Sequence, residues 1–298
     1  LERVESTARM LKVYANLLLD LPREVNIGWY NLVVLNSSTK AFDEHYKNRY
    51  ERNVVKFMLA DNDNPASMLR ALQAARENIR TTRDVLPMET WELINELSLY
   101  AGGQIQQGIN RRLRHAYLDE IIRGVQRING LLNGTMSHDA AWQFLRLGRN
   151  LERADMTTRI LDAGASALMY TMEETQADVR EIIWGNVLSS LSAYFPYRRA
   201  VRTSIVGGSV ARYLLEDIYF PRSVGFCLNH IADAASQIPE GEPVLSKLRL
   251  VKDMVLDEQA CDDLEEPFRE LLNDVQLLLG DVHGCIQETW FSLEEDQV

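Results

Sequence analysis

Cysteine and histidine are both scarce in this chain, and neither is spaced for chemistry. Cys227, Cys261 and Cys285 are odd in number, lie far apart and form no Cys-x-x-Cys. That excludes a disulfide framework and a thiolate zinc site and fits a reducing cytoplasm, so buried free thiols are expected. None of His45, His115, His138, His230 and His283 has a glutamate three residues before it. The Glu-x-x-His pairs of di-iron bundles are therefore absent, as is any His-Glu-x-x-His. No metal site and no cofactor is expected, and each histidine is expected on the surface or satisfied in the core.

Other absences narrow the function further. No apolar run approaches the roughly 18 residues needed to cross a bilayer, and no basic-then-apolar signal segment opens the chain. The sequence begins at Leu1 inside a helical pattern, so a natural start further upstream is expected. Neither a Gly-x-x-x-x-Gly-Lys-Ser/Thr loop nor a Gly-x-Gly-x-x-Gly after a strand is present, which removes a recognisable nucleotide site. A Gly-x-Ser-x-Gly elbow for acyl chemistry is missing too. Positive charge is in deficit, the net charge being −11, which argues against non-specific nucleic-acid binding. Arg111-Arg112-Leu113-Arg114 is the densest basic stretch, but Asp119 and Glu120 follow it, so a solvated helix face is expected.

Helical periodicity fills what remains. Ser67 to Arg83, Trp91 to Leu99, Tyr117 to Leu132 and Phe268 to Leu279 place apolar residues at i, i+3, i+4 and i+7. Alternating Val/Ile/Thr runs bounded by hairpin turns do not occur. Pro65, Pro87, Pro221 and Pro267 sit where amphipathic patterns begin, the favoured first-turn position. Ser137, with Asp139 behind it, reads as a helix N-cap, and Gly207-Gly208-Ser209 as a turn into the next one. The stretch from Ile238 to Pro243 reads as an exposed loop, and Asp257 to Glu266 as a solvated acidic segment.

One short charged signature occurs twice. Leu1-Glu2-Arg3-Val4-Glu5-Ser6-Thr7-Ala8-Arg9-Met10-Leu11 returns as Leu151-Glu152-Arg153-Ala154-Asp155-Met156-Thr157-Thr158-Arg159-Ile160-Leu161, with six of eleven positions identical. Asp61, Pro65 and Ser67 return as Asp217, Pro221 and Ser223 at a constant offset of 156, and Trp29 pairs with Trp184. Such self-similarity points to duplication. Residues 1–298 are therefore expected to form one all-α domain, a single large helical bundle of two pseudo-symmetric halves, 1–136 and 137–298. No Pro/Ser-rich linker separates them, so a shared core is expected.

On a helix advancing about 100° per residue, Arg149, Glu152, Arg153 and Arg159 fall within or beside the arc that carries Leu145, Met156 and Ile160. Charges so placed need partners, because a lone buried ion costs several kcal/mol. Glu152 can reach Arg149 or an arginine of a neighbouring helix. The expected neighbour is the twin helix with Glu2, Arg3, Glu5 and Arg9. The candidate site is thus Glu2, Arg3, Glu5, Arg9, Arg149, Glu152, Arg153, Asp155 and Arg159. It reads as a self-paired network, as an arginine pocket for a carboxylate or phosphate, or as an acid/base site using Glu152 or Glu2. The last is disfavoured, since a glutamate among arginines is a poor proton shuttle near neutral pH.

Leu147-Gly148-Arg149, Glu152-Arg153-Ala154 and Thr157 to Arg159, with Trp142 seven residues before Arg149, resemble the bacterial alpha-E family, named for a predicted α-helical domain with a Glu-Arg motif. The first copy, Glu2-Arg3 through Thr7-Ala8-Arg9, is similar, and the aromatic and arginine that precede it in the family's pattern lie outside this sequence. The resemblance implies an all-helical protein found with circularly permuted ATP-grasp ligases and transglutaminase-like peptidases. It suggests a part in making or modifying peptides through amide bonds. The expectation is an accessory helical binding or scaffold protein, partnered by an ATP-grasp-type ligase or transglutaminase-like protein, with a peptide or a carboxylate/phosphate as ligand. Nucleic acid and membrane are not expected partners. The alternatives are an enzyme acting on an amide or ester of an acidic peptide through Glu152 or Glu2, and a purely architectural bundle.

Overall fold

The computed structural model describes residues 1–21, 28–169, 177–255, 261 and 264–292. Fifteen α-helices and no strand occur among the described residues. In chain order they are α1 (Glu2–Asp20), α2 (Asn31–Leu35), α3 (Thr39–His45), α4 (Glu51–Ala60), α5 (Met68–Thr81), α6 (Glu89–Gly103), α7 (Ile105–Ile109) and α8 (Arg114–Thr135). There follow α9 (Ala140–Met169), α10 (Ala177–Ser190), α11 (Tyr194–Val201), α12 (Gly207–Glu216), α13 (Val224–Ser236), α14 (Glu242–Val255) and α15 (Glu266–Trp290). The protein is all-α. Most of the acidic stretch beginning at Asp257 lies outside the described residues.

The chain forms two compact units, one of residues 1–137 and 166–192, the other of residues 138–165 and 193–298. In the first, α1 packs against α4, α5, α8 and α10. Val4, Ala8, Leu11 and Tyr14 form one buried stripe, but Glu2, Glu5, Ser6 and Met10 are buried on its other sides, so α1 is no one-faced surface helix. In the second, α12, α13, α14 and α15 pack in succession. There α9 adds Phe144, edge-on to Trp290 and Phe291 with centroids 5.4 and 5.2 Å away.

One helix-turn-helix hairpin occurs in both units. The chain leaves α4 at Asp61 and enters α5 after Ser67; it leaves α12 at Asp217 and enters α13 after Ser223. Backbone angles agree at both ends, with ψ 129° at each Asp and 147° or 151° at each Ser. Each Asp accepts from the amide two residues on, at 2.9 Å to Asp63 and 2.8 Å to Tyr219. Each Ser amide donates at 3.0 Å to the carbonyl three residues back. The side chains then diverge. Ser223 Oγ accepts from the Phe226 amide at 3.2 Å and donates to the Phe220 carbonyl at 2.9 Å, whereas buried Ser67 Oγ makes no hydrogen bond. Ser223→Ala is therefore expected to cost about 1 kcal/mol and Ser67→Ala much less, which thermal melts of the two variants would compare.

Several local expectations change in the structure. The N-cap of α9 is Asp139, not Ser137, since Asp139 Oδ1 accepts from the amides of Ala141 and Trp142 at 3.0 and 3.3 Å. Gly207 and Gly208 open α12 itself, and Gly208 is needed there because a Cβ would meet the Cys261 carbonyl at 2.7 Å. The loop before α14 is short. Within it Glu240 is left-handed (φ 64°), and a Cβ on Gly241 would meet the Ala235 carbonyl at 2.1 Å. Trp184 is buried in the middle of α10, while Trp29 lies in a turn before α2, so this pair does not occupy equivalent places. Cys227 and Cys261 are buried, and Cys285 on α15 is partly exposed.

The basic stretch departs furthest from expectation. Arg111 and Arg112 are exposed, but Arg114 keeps only 2% of its side-chain surface. It donates from Nε to the Gly108 carbonyl (3.0 Å), from Nη2 to the Ile109 carbonyl (3.2 Å) and from Nη1 to Glu51 (2.7 Å). Its guanidinium also lies 5.0 Å from the Trp29 ring centroid. The physical reason is the end of α7, whose last carbonyls have no helical donor and take those of arginine instead.

Candidate functional site

The two signature copies are placed on α1, in the first unit, and on the part of α9 that belongs to the second. The i, i+4 spacing of acid and arginine lets each copy form an ion pair along its own helix. Glu5 Oε1 accepts from Arg9 Nε at 2.8 Å and Nη2 at 2.6 Å. Asp155 accepts from Arg159 Nε at 2.8 Å and Nη2 at 3.1 Å. The repeated motif is thus a repeated piece of geometry. Burial differs between the copies: side-chain exposure is 3% for Glu5 and 16% for Arg9, but 23% for both Asp155 and Arg159.

Of the remaining predicted residues, Glu2 is buried and Arg3 exposed on α1, while Arg149, Glu152 and Arg153 are half-buried on α9. Burial covers one broad arc of α9, through Trp142, Leu147, Ala154, Ile160 and Leu161. The charges therefore line the edge of that buried arc rather than its centre. Arg149 lies over Trp142, 5.5 Å from its centroid, and His138 stacks on the same ring at 4.4 Å with planes 4° apart. The seven-residue spacing of Trp142 and Arg149, two turns of helix, makes that contact.

Around Arg9 the structure adds what the motif did not contain. A cavity of about 410 Å³ is lined by Arg9, Lys12 and Val13 of α1, Asp119, Ile122, Arg123 and Gln126 of α8, and Ser189 of α10. Arg9 is fixed at its wall by Glu5 and by a 2.7 Å bond from Nη1 to Ser192 Oγ. Gln126 donates to Glu5 at 3.4 Å, Lys12 meets Asp119 at 2.5 Å and Arg123 meets Glu120 at 2.8 Å. Lys12 shares a helix face with Arg9 at i+3, but Asp119 and Arg123 come from a helix more than 100 residues away.

A second polar cluster joins α9 to α13. Arg146 donates from Nη1 to Gln143 (2.8 Å) and from Nη2 to His230 Nδ1 (2.9 Å) and Asp233 (2.7 Å). Gln143 in turn donates to Gln237 at 2.9 Å. Sequence reasoning missed this cluster: Arg146 lies one turn before Arg149, the only available signal, and its partners are distant in sequence. Burial, the Arg146 guanidinium and, less, Arg153 push the His230 imidazole below its usual 6.5, and Asp233 opposes them. The folded state therefore binds fewer protons than the unfolded chain just below pH 6.5. Stability from this group is full above that pH and is lost as pH falls through the lowered value. A His230→Gln variant is expected to flatten that acidic limb, measurable as melting temperature against pH.

Each unit thus carries one Glu-Arg signature on a helix, with its own acid–arginine pair. Residues 1–291 match the Alpha-E family model, described as a predicted alpha-helical domain with a conserved ER motif. The chain belongs to the Alpha-E family. Among curated relatives of this Alpha-E chain, an uncharacterised protein of Mycobacterium bovis is 23% identical over 250 residues, covering 79% of this chain and 28% of the relative. Uncharacterised proteins of two Mycobacterium tuberculosis strains are 23% and 22% identical over the same shares. The Alpha-E chain thus spans little more than a quarter of the length of the curated relatives it matches. No solved structure matches it significantly. Among the described residues, no helix is long and apolar enough to cross a membrane, and no group of three or more His, Cys, Asp or Glu is placed to hold a metal.

Proposed function

We infer that this chain is a non-catalytic recognition module serving a peptide- or amide-bond-forming enzyme, of ATP-grasp-type ligase or transglutaminase-like class. The observation that carries the reading is the use made of the signature. Glu5 is committed to Arg9 and Gln126, and Asp155 to Arg159, so these charges build a frame. What they frame in the first unit is a cavity walled by Arg9, Lys12 and Arg123, groups suited to a carboxylate. The match to a fraction of much longer relatives supports a chain that works beside other domains.

The test is co-purification of the tagged chain with the ATP-grasp-type ligase and the transglutaminase-like protein of its source organism. Retention of either one supports the reading, and retention of neither overturns it. Glu152→Gln and Glu2→Gln are expected to leave pathway product intact. Loss of product in a variant that still melts cooperatively would establish the enzyme reading instead.

A further inference from the structure

The cavity between α1 and α8 carries charges of both signs on facing walls, which narrows the ligand it suits. Its lining includes the cations Arg9, Lys12 and Arg123 and the carboxylate of Asp119. Lys12 and Asp119 bridge it at 2.5 Å, each about one-third exposed. A simple anion drawn to Lys12 would have to pull it from Asp119 and leave that carboxylate without its cation. A simple cation would do the same to Lys12. A molecule with both charges can replace the bridge in kind, its carboxylate taking Lys12 and its ammonium taking Asp119. Every charge then keeps an opposite partner, the condition for a charged ligand in a part-buried site.

We propose that this cavity binds a small zwitterion, a free α-amino acid or a short peptide with both termini free. The carboxylate lies between Lys12 and Arg9, and the ammonium lies on Asp119 with Gln126 beside it. Arg9 suits the anchoring role because Glu5 and Ser192 hold its guanidinium in place before any ligand arrives, so little side-chain freedom is lost on binding. Val13 and Ile122 give the rest of the ligand an apolar wall. A volume of about 410 Å³ falls within the range of small-molecule sites, about 300–1,000 Å³. Arg123, held by Glu120 at the exposed rim, is the group a ligand's second carboxylate meets. The proposal rests on the reading of the chain as a recognition module and gives that module its ligand class.

Calorimetric titration of the full chain tests it, with glycine, L-glutamate, L-lysine and glycylglycine as separate probes. At least one is expected to bind. N-acetylation of that probe, which removes the ammonium charge, or amidation, which removes the carboxylate, is expected to weaken it at least about tenfold. Lys12→Met and Asp119→Asn are expected to weaken it similarly, and both replace partly exposed groups, so the fold survives. Preference for glycylglycine over the amino acids assigns the site to peptides, and the reverse assigns it to free amino acids. Failure of all four probes, equal binding of the acetylated form, or equally tight binding of acetate overturns the proposal. Partner co-purification does not depend on Lys12 or Asp119, so an empty pocket with a retained partner separates this failure from failure of the module reading.

Discussion

Replacing Arg114 by alanine is expected to destabilise the first unit by about 3–5 kcal/mol, chiefly because two carbonyls at the end of α7 lose their donor at about 1–3 kcal/mol each. Glu51 is 27% exposed and so partly served by water. The side chain meets three separate needs at once. It donates to the Gly108 and Ile109 carbonyls where α7 ends, and it neutralises Glu51. Alanine leaves all three acceptors behind and opens a cavity next to Trp29. Arg114→Lys is expected to recover only a minor part, because one ammonium cannot span three acceptors that a planar fork reaches together. Denaturant unfolding would measure the loss, and a midpoint unchanged from the parent would show that Arg114 is not needed.

Arg9→Ala is the second large effect, again about 3–5 kcal/mol. Its removal takes from Glu5, with 3% of its side chain exposed, the charge-assisted bonds of 2.6 and 2.8 Å that neutralise it. The same change at Arg159 is expected to cost less, because Asp155 retains 23% of its surface and water takes part of the charge. A second substitution distinguishes lost charge from lost packing. Adding Glu5→Gln to the Arg9→Met background neutralises both partners and is expected to return much of the stability. Equal losses from the single and double variants would show that packing, not the lost charge pairing, sets the cost.

What could be read from the sequence depended on how far apart the interacting residues lie in it. Helices announced themselves through local spacing. Pro267 lies in a first turn, where proline's missing N–H is harmless, whereas Pro65 and Pro221 stand in the turns two residues before the N-cap serines rather than in the helices. The turn ending at Ser67 or Ser223 was visible as a repeat because its Asp, Pro and Ser all lie within seven residues. Glu5–Arg9 and Asp155–Arg159 are one helical turn apart and equally local. Arg114 was misread because its neighbours Arg111 and Arg112 are indeed exposed, and only the end of α7 together with Glu51, 63 residues away, makes a buried position affordable. His230 was legible as a lone histidine but not as the partner of Arg146, 84 residues distant. The cavity beside Arg9 takes half its walls from α8, which shares no motif with α1.

The unequal exposure of the three thiols offers a practical handle. Cys227 and Cys261 are sealed inside the second unit, while Cys285 stands within reach of solvent on α15. A maleimide dye added to the native protein should therefore attach chiefly at one place without any cysteine being engineered out. Fluorescence anisotropy from that label would report complex formation directly, leaving the α1–α8 pocket chemically untouched.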